Sequence, residues 1–336
     1  MSRKLITIST IMTLMSTSIM ADAPNVAADI APIHSLVSKV MDGVGEPKLV
    51  IQSGASPHGY RLRPSEAKAL QDANLIFWMG EELTPWLDGA IDTLASNASV
   101  TSLLDQEGVV LHEFREGALF EAHDHSAHDD HDDHDDHDDH KDHDDHDDHD
   151  DHDDHDGHDD HDDHGHGAHD PHAWLSPENA KLWLNIIASK LSVADPENAA
   201  TYFTNAAAGQ AEIEEMISEV NATLKPVKGG KFVVFHDAYQ YFENDFDFYA
   251  SGAISLSDAS DPSPARIAKI QKRIRDEGIQ CVLAEPQFKQ GLVATVMEGS
   301  EATASVIDPL GADIKPGPKL YTQLIKNMAK TLRDCL

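Results

Sequence analysis

From His123 to His169 the dominant unit is His-Asp-Asp, repeated at a period of three, and this stretch offers nothing apolar to bury. Residues 123–170 hold 24 of the chain's 60 acidic residues, a single lysine (Lys141) and no glutamate. Like charges at that density repel, and a period of three fails to keep the histidines on one helical face, so disorder is expected. Whatever folds must be built from the sequence on either side, with the tract looping out as an insert at little cost in closure entropy. Setting the tract aside changes the charge picture as well. The formal net charge is −35, but the remaining chain carries 36 acids against 24 bases, a balance of −12 that is ordinary for an acidic soluble protein. No basic stripe of the kind a phosphate backbone requires is visible, which argues against nucleic acid as a partner.

Outside the tract, short β-like runs alternate with amphipathic helical stretches, the pattern of parallel sheets with helical crossovers. Asn25–Ile30 reads as a strand; Pro32 then sits in a first helical turn, with Gly43 past the last one. Lys48–Gln52 reads as a strand, Arg63-Pro64-Ser65 opens a helix through Asp72, Leu75–Met79 is β-prone, and Glu82–Ser96 is helical. The second half repeats the alternation: Phe232–Phe235 and a helix, Ile279–Ala284 and a helix from Lys289, Ser305–Ile307 and a last helix from about Pro318. Between the halves, Glu197–Leu224 spaces Tyr202, Phe203, Ile213, Met216, Ile217 and Val220 for one buried face. A single helix there would reach about 40 Å at roughly 1.5 Å per residue, a rigid strut between two domains.

The chain begins as an exported protein does. Arg3 and Lys4 precede a modestly apolar run, Leu5–Met20, followed by small residues at Ala21 and Ala23, so residues 1–23 read as a signal peptide cleaved near 21–23. A membrane anchor needs about 20 mostly apolar residues, and this run is short and interrupted by Ser and Thr. No cysteine lies near the cleavage region, so an exported protein without a lipid anchor is expected. The only cysteines, Cys281 and Cys335, favour a disulfide in an exported chain, and closing a loop of about 54 residues adds a few kcal/mol. Two zinc-binding thiolates are the competing reading, weakened by the wide separation and the absence of C-x-x-C.

The tract's chemistry follows from its ligands: His123, His125, His128, His131, His134, His137, His140, His143, His146, His149, His152, His155, His158, His161, His164, His166 and His169. Neutral imidazole binds Zn²⁺, Cu²⁺ and Ni²⁺, and neighbouring carboxylates attract the cation while favouring the competing proton. Weak, multiple and pH-sensitive zinc binding is expected, against the alternative of a solvated acidic spacer.

Five histidines lie outside the tract: His34, His58, His112, His172 and His236. His58 lies just beyond a strand, His236 directly follows Phe232–Phe235, and Asp308 directly follows Ser305–Ile307. Ligands of open α/β sheets bind outside the carboxyl ends of strands, so these positions count. His172 precedes a helix beginning near Ser176. Three imidazoles with one oxygen donor make a tetrahedral zinc site. His34, inside the first helix, reads as packing or helix surface, and His112 as a loop-entry residue at the tract's edge or an accessory ligand.

Four motifs occur in order: Gly54-Ala55-Ser56-Pro57-His58 with Leu62-Arg63-Pro64-Ser65; Asp170-Pro171-His172-Ala173-Trp174; Val233-Val234-Phe235-His236-Asp237-Ala238-Tyr239; and Ala284-Glu285-Pro286-Gln287-Phe288. Together they resemble the ZnuA-type periplasmic zinc-binding proteins of bacterial ABC importers over essentially the whole mature chain, including the place of the acidic histidine-rich insert. The resemblance implies an α/β fold of two parallel-sheet domains joined by a long helix, with zinc held in the interdomain cleft. The boundaries expected are an N-terminal domain over 24–195 with the insert at about 113–169, a linking helix over 196–225 and a C-terminal domain over 226–336. It also implies His58 and His172 as ligands from the first domain, His236 from the second, and Asp308 at the acidic position that completes the site. Cys281 and Cys335 match a disulfide pair of similar proteins. Some relatives carry a glutamate immediately before the first histidine; Pro57 stands here, which leaves the fourth position to Asp308, water or a tract imidazole. Glu285 reads equally as a partner orienting an imidazole and as a helix cap.

The function expected is capture of Zn²⁺ and its delivery to an inner-membrane permease by a monomer that is not an enzyme. The alternatives are zinc storage or buffering, transport of manganese or another divalent metal, and a zinc hydrolase. Three imidazoles favour zinc over manganese, whose sites offer more oxygen, but leave Cu²⁺ and Ni²⁺ open. A hydrolase requires a general base near a metal-bound water, and neither H-E-x-x-H nor any other motif supplies one.

Overall fold

The computed structural model describes residues 23–115, 120, 169–255, 262–288 and 290–336. Residues 1–22 of the leader read over 1–23, and all of the tract histidines except His169, lie outside the described residues.

The described chain folds as two four-stranded parallel sheets with helices, joined by one long helix. The first sheet comprises β1 (Val26–Ala28), β2 (Lys48–Leu49), β3 (Leu75–Trp78) and β4 (Ser99–Ser102), in the order β2-β1-β3-β4. Helices α1 (Ala31–Val40), α2 (Pro64–Gln71) and α3 (Pro85–Leu94) connect them. After the tract come α4 (Pro177–Ala194) and the 26-residue α5 (Ala199–Leu224). The second sheet repeats the first: β5 (Phe232–His236), β6 (Ala253–Ser255), β7 (Cys281–Ala284) and β8 (Thr303–Val306) lie in the order β6-β5-β7-β8. Helices α6 (Gln240–Phe246), α7 (Pro264–Glu277), α8 (Gln290–Met297) and α9 (Leu320–Cys335) accompany it.

The apolar runs form central strands because both faces of a parallel sheet are covered. In the second sheet Phe232, Val234, Cys281 and Leu283 belong to one buried cluster and Val233, Phe235, Val282 and Ala284 to another, one on each face. The first of these clusters also contains Val26 to Ala28, Leu75 to Trp78 and the inner faces of α1, α4, α5 and α9. One apolar core therefore runs beneath both lobes. Gly209 lets α5 approach closely: a Cβ there would stand 2.9 Å from Leu184 Cδ1 and 3.1 Å from Lys39 Cγ.

The structure trims several readings. Of the strand read over Lys48–Gln52, regular strand covers Lys48–Leu49, although Val50 N and Ile51 N still donate to Ala28 O and Asp29 O at 2.9 and 2.8 Å. The helix read from Glu82 begins at Pro85, the strand read from Ser305 runs over Thr303–Val306, and β4, β6 and α7 are additional elements. Strand β4 is Ser-Val-Thr-Ser, an edge strand whose Val100 is exposed, so it lacks the apolar run that marks a buried strand. Cys281 and Cys335 form a disulfide, tying the first residue of β7 to the last of α9.

Candidate metal centre

Each lobe's strand order reverses direction beside its first strand, and that switch point leaves a crevice at the carboxyl ends of the strands. His236 is the last residue of β5 and Glu285 follows the last residue of β7, so this pair flanks the switch point of the second sheet. His236 Nδ1 lies 2.6 Å from Glu285 Oε1, and Gln287 Nε2 donates to Glu285 Oε2 at 2.9 Å. Both members of the pair are buried. The Phe288 ring stacks on Phe235 at 4.4 Å and closes one side of the His236 ring.

His172 comes from the segment that returns from the tract. Its Nδ1 lies 2.6 Å from Asp170 Oδ1, and its backbone N–H donates to the same oxygen at 3.0 Å. A short 3₁₀ turn, Ala173–Leu175, follows, and Ser176 caps α4 by accepting from Asn179 N. Trp174 packs on the His172 ring and donates from Nε1 to Pro309 O of the second lobe at 2.8 Å. His58 sits on the loop after β2, braced where Trp86 Nε1 donates to Pro57 O at 2.8 Å. Tyr60 packs against Trp86 and donates to Glu66, whose other oxygen accepts from Arg63 N at the start of α2.

These three elements bring His58, His172 and His236 together. One ligand nitrogen from each lies within 4.8 Å of the others. The Nε2 atoms of His58 and His172 are 3.3 Å apart, and those of His172 and His236 are 3.4 Å apart. A tetrahedral Zn²⁺ with nitrogens at about 2.0–2.1 Å spaces its ligands by about 3.3–3.4 Å. The carboxylates behind the rings fix the chemistry further. A carboxylate accepts at Nδ1, so in neutral His172 and His236 the proton sits on Nδ1 and the Nε2 lone pair points inward. Two lone pairs facing each other at 3.4 Å repel unless a cation stands between them. Burial pushes the Asp170 carboxyl up to about 6, partly offset by the His172 N–H and the charge of Arg115.

Other residues singled out in the sequence fall elsewhere. Asp308 is outside the three-imidazole group: Oδ1 accepts from the N–H of Leu310 and Gly311, both at 2.9 Å, and Oδ2 accepts from that of Ala312. His34 is buried in α1 with Nε2 3.1 Å from Pro47 O, and desolvation lowers its pKa. His112 packs on Tyr241 and lies 3.4 Å from Asn244. His169, the one described tract histidine, pairs through its backbone with Glu113, so the two ends of the tract meet. Asp170 is the residue that sequence reasoning missed; its signal was the Asp-x-His spacing, which lets one carboxylate take both the ring and the backbone of the histidine two places on.

Comparison with known proteins agrees with this architecture. The family described as ZnuA, zinc-uptake complex component A, periplasmic, matches residues 26–335. The chain belongs to that family. The high-affinity zinc uptake system protein ZnuA of Brucella abortus is 50% identical over 319 residues, 95% of this chain and 93% of the relative. Its counterpart in Paracoccus denitrificans is 45% identical over 94% of this chain and 93% of the relative. A crystal structure of ZnuA superposes with a TM-score of 0.69 at 21% identity, over 94% of this chain and 99% of that one, a likeness of fold. ZnuA is a family of periplasmic transport components, and no described helix of this chain is long and apolar enough to cross a membrane.

Proposed function

We propose that the chain is the zinc-capturing component of an ABC-type zinc importer. It binds Zn²⁺ in the cleft through the Nε2 atoms of His58, His172 and His236 and hands the ion to an inner-membrane permease. The observation that carries this reading is the spacing of the inward-facing nitrogens, 3.3 and 3.4 Å, which matches the edge of a zinc tetrahedron. The uptake role named for the Brucella and Paracoccus relatives supports it. Asp308 or a water completes the shell; the aspartate can do so through oxygen lone pairs that Leu310, Gly311 and Ala312 leave over. Two domains, 24–195 and 226–336, contribute ligands from either side of the linking segment 196–225. The leader over residues 1–23 directs export, and the tract serves as a weak auxiliary store of the same ion.

The test is zinc retention by the full chain against a chelator strong enough to strip the tract. One ion per chain should remain. Replacing His58, His172 and His236 by Ala should abolish that retention, while His34→Ala should leave it intact. A wild-type chain that retains no zinc, or a triple variant that still does, sinks the reading.

A further inference from the structure

Behind the imidazoles, Asp237 and Glu243 are buried carboxylates that share one cation, Arg115. Arg115 Nε donates to Asp237 Oδ1 at 3.0 Å and to Oδ2 at 3.1 Å, and Nη1 donates to Glu243 Oε2 at 2.6 Å. Its Nη2 contacts Asp237 Oδ1 as well and reaches Glu243 Oε1 at 3.3 Å. The Phe120 ring lies under the guanidinium, 3.6 Å from its carbon to the ring centroid. The side chain is 16% exposed, and those of Asp237 and Glu243 are 7% and 1% exposed. A planar fork gripping two carboxylates fixes orientation as well as charge.

The arginine and the carboxylates arrive from different halves of the molecule. Arg115 stands on the stem that leads from the first sheet into the tract, whereas Asp237 directly follows His236 and Glu243 lies in α6. The same region of the second lobe holds the returning stem. Tyr241 OH accepts from His112 N at 3.1 Å and donates to Asp170 O at 2.7 Å, and Asp170 N donates to His112 O at 2.8 Å. Asp170 in turn orients His172. Asp170, which orients His172, is thus held by Tyr241 of the helix that carries Glu243, and His236 is the chain neighbour of Asp237. A buried ion pair contributes little net stability, because desolvation offsets the attraction; the use it can serve is to select one arrangement over others.

We propose that Arg115 is a positioning residue for metal binding: its fork ties the first-lobe stem to the second lobe and holds His236 at bridging distance from His172. This rests on the zinc reading above. Without the guanidinium, Asp237 and Glu243 lose their shared ion pair and repel each other as like charges, and the backbone that carries His236 loses its tie to the stem.

The experiment is the rate at which zinc-loaded full-length chain surrenders its slowest ion to a chelator, with melting temperatures measured with and without zinc. Arg115→Met should release that ion about tenfold faster or more, in the range typical of lost outer partners of metal ligands, and should shrink the zinc-induced rise in Tm. Arg115→Lys keeps the charge but cannot grip both carboxylates, and should fall between Met and wild type. Release from Arg115→Met within twofold of wild type overturns the proposal, even if its metal-free Tm drops, since that pattern marks a purely structural role. If Arg115→Met does not fold, Arg115→Lys and Glu243→Gln decide: release within twofold of wild type in both overturns it. A wild-type chain with no slowly released zinc defeats the zinc reading first and this inference with it.

Discussion

In the first lobe β1 and β3 run out into Asp29 and Met79; in the second β5 and β7 run out into His236 and Glu285. The strand order is the same, and so is the crevice it creates. What fills the two crevices differs. Asp29 turns its carboxylate onto the backbone, accepting from Ile30 N at 2.7 Å and from Met79 N at 2.8 Å, and thereby staples the two strand ends together. Glu285 turns its carboxylate onto an imidazole. The first lobe then supplies its two imidazoles from loops, His58 after β2 and His172 after the tract. A repeated topology thus provides two equivalent crevices, one whose carboxylate holds strand ends together and one whose carboxylate orients an imidazole.

Three substitutions sharpen this contrast. The largest effect falls on the second lobe alone, which carries the disulfide. Replacing Cys281 and Cys335 by Ser should lower stability by about 4 kcal/mol, the entropy released to a 54-residue loop. Chemical denaturation reads the loss, and zinc affinity should stay within twofold.

Next is Asp29→Ala, which leaves two buried amides without acceptors and should cost about 2–4 kcal/mol, again without weakening zinc binding by the folded fraction. The pH dependence of metal-free stability gives an independent sign. Burial raises the Asp29 carboxyl to about 7, despite the opposing backbone hydrogen bonds. The folded chain therefore holds this proton more tightly than the unfolded one. The associated stability is fully present below about pH 4 and is lost as pH rises through about 7. Asp29→Ala should remove that component from the denaturation profile; an unchanged slope across the window would count against the assignment.

The smallest free-energy change is expected at the other switch point. Glu285→Gln should weaken zinc binding 10- to 100-fold, about 1.4–2.7 kcal/mol, with little change in metal-free stability. Calorimetric titration checks the affinity. Should Glu285→Gln behave like Asp29→Ala, losing stability and keeping affinity, the division of labour between the lobes is wrong.

The same contrast explains what could be read along the chain. His58, His172 and His236 are legible because each sits in a short motif at the end of a strand or the start of a helix, where chain direction alone says which end of the sheet it faces. Glu285 could be narrowed to orienting an imidazole or capping a helix; choosing between them needs the β5–β7 neighbour relation, which is a property of the sheet. Asp170 is two residues from its ring, and the Asp-x-His spacing permits the contact without showing that the side chain curls forward to make it. Strands β4 and β6 escaped because edge and very short strands carry little apolar signal. The Arg115 fork was invisible for the opposite reason, since its partners lie 122 and 128 residues away.

Helix α1 packs against both α5 and α9, and Ser35 of α1 donates to Gly317 O while accepting from Tyr321 N. Residues that stand 282 and 286 positions apart are thus each other's neighbours. Helix α9 of the second half therefore covers part of α1 in the first, and the two lobes share one stretch of packing. Contacts that span 282 and 286 residues carry a high closure cost and form slowly, so this seam between the lobes is expected to close late in folding.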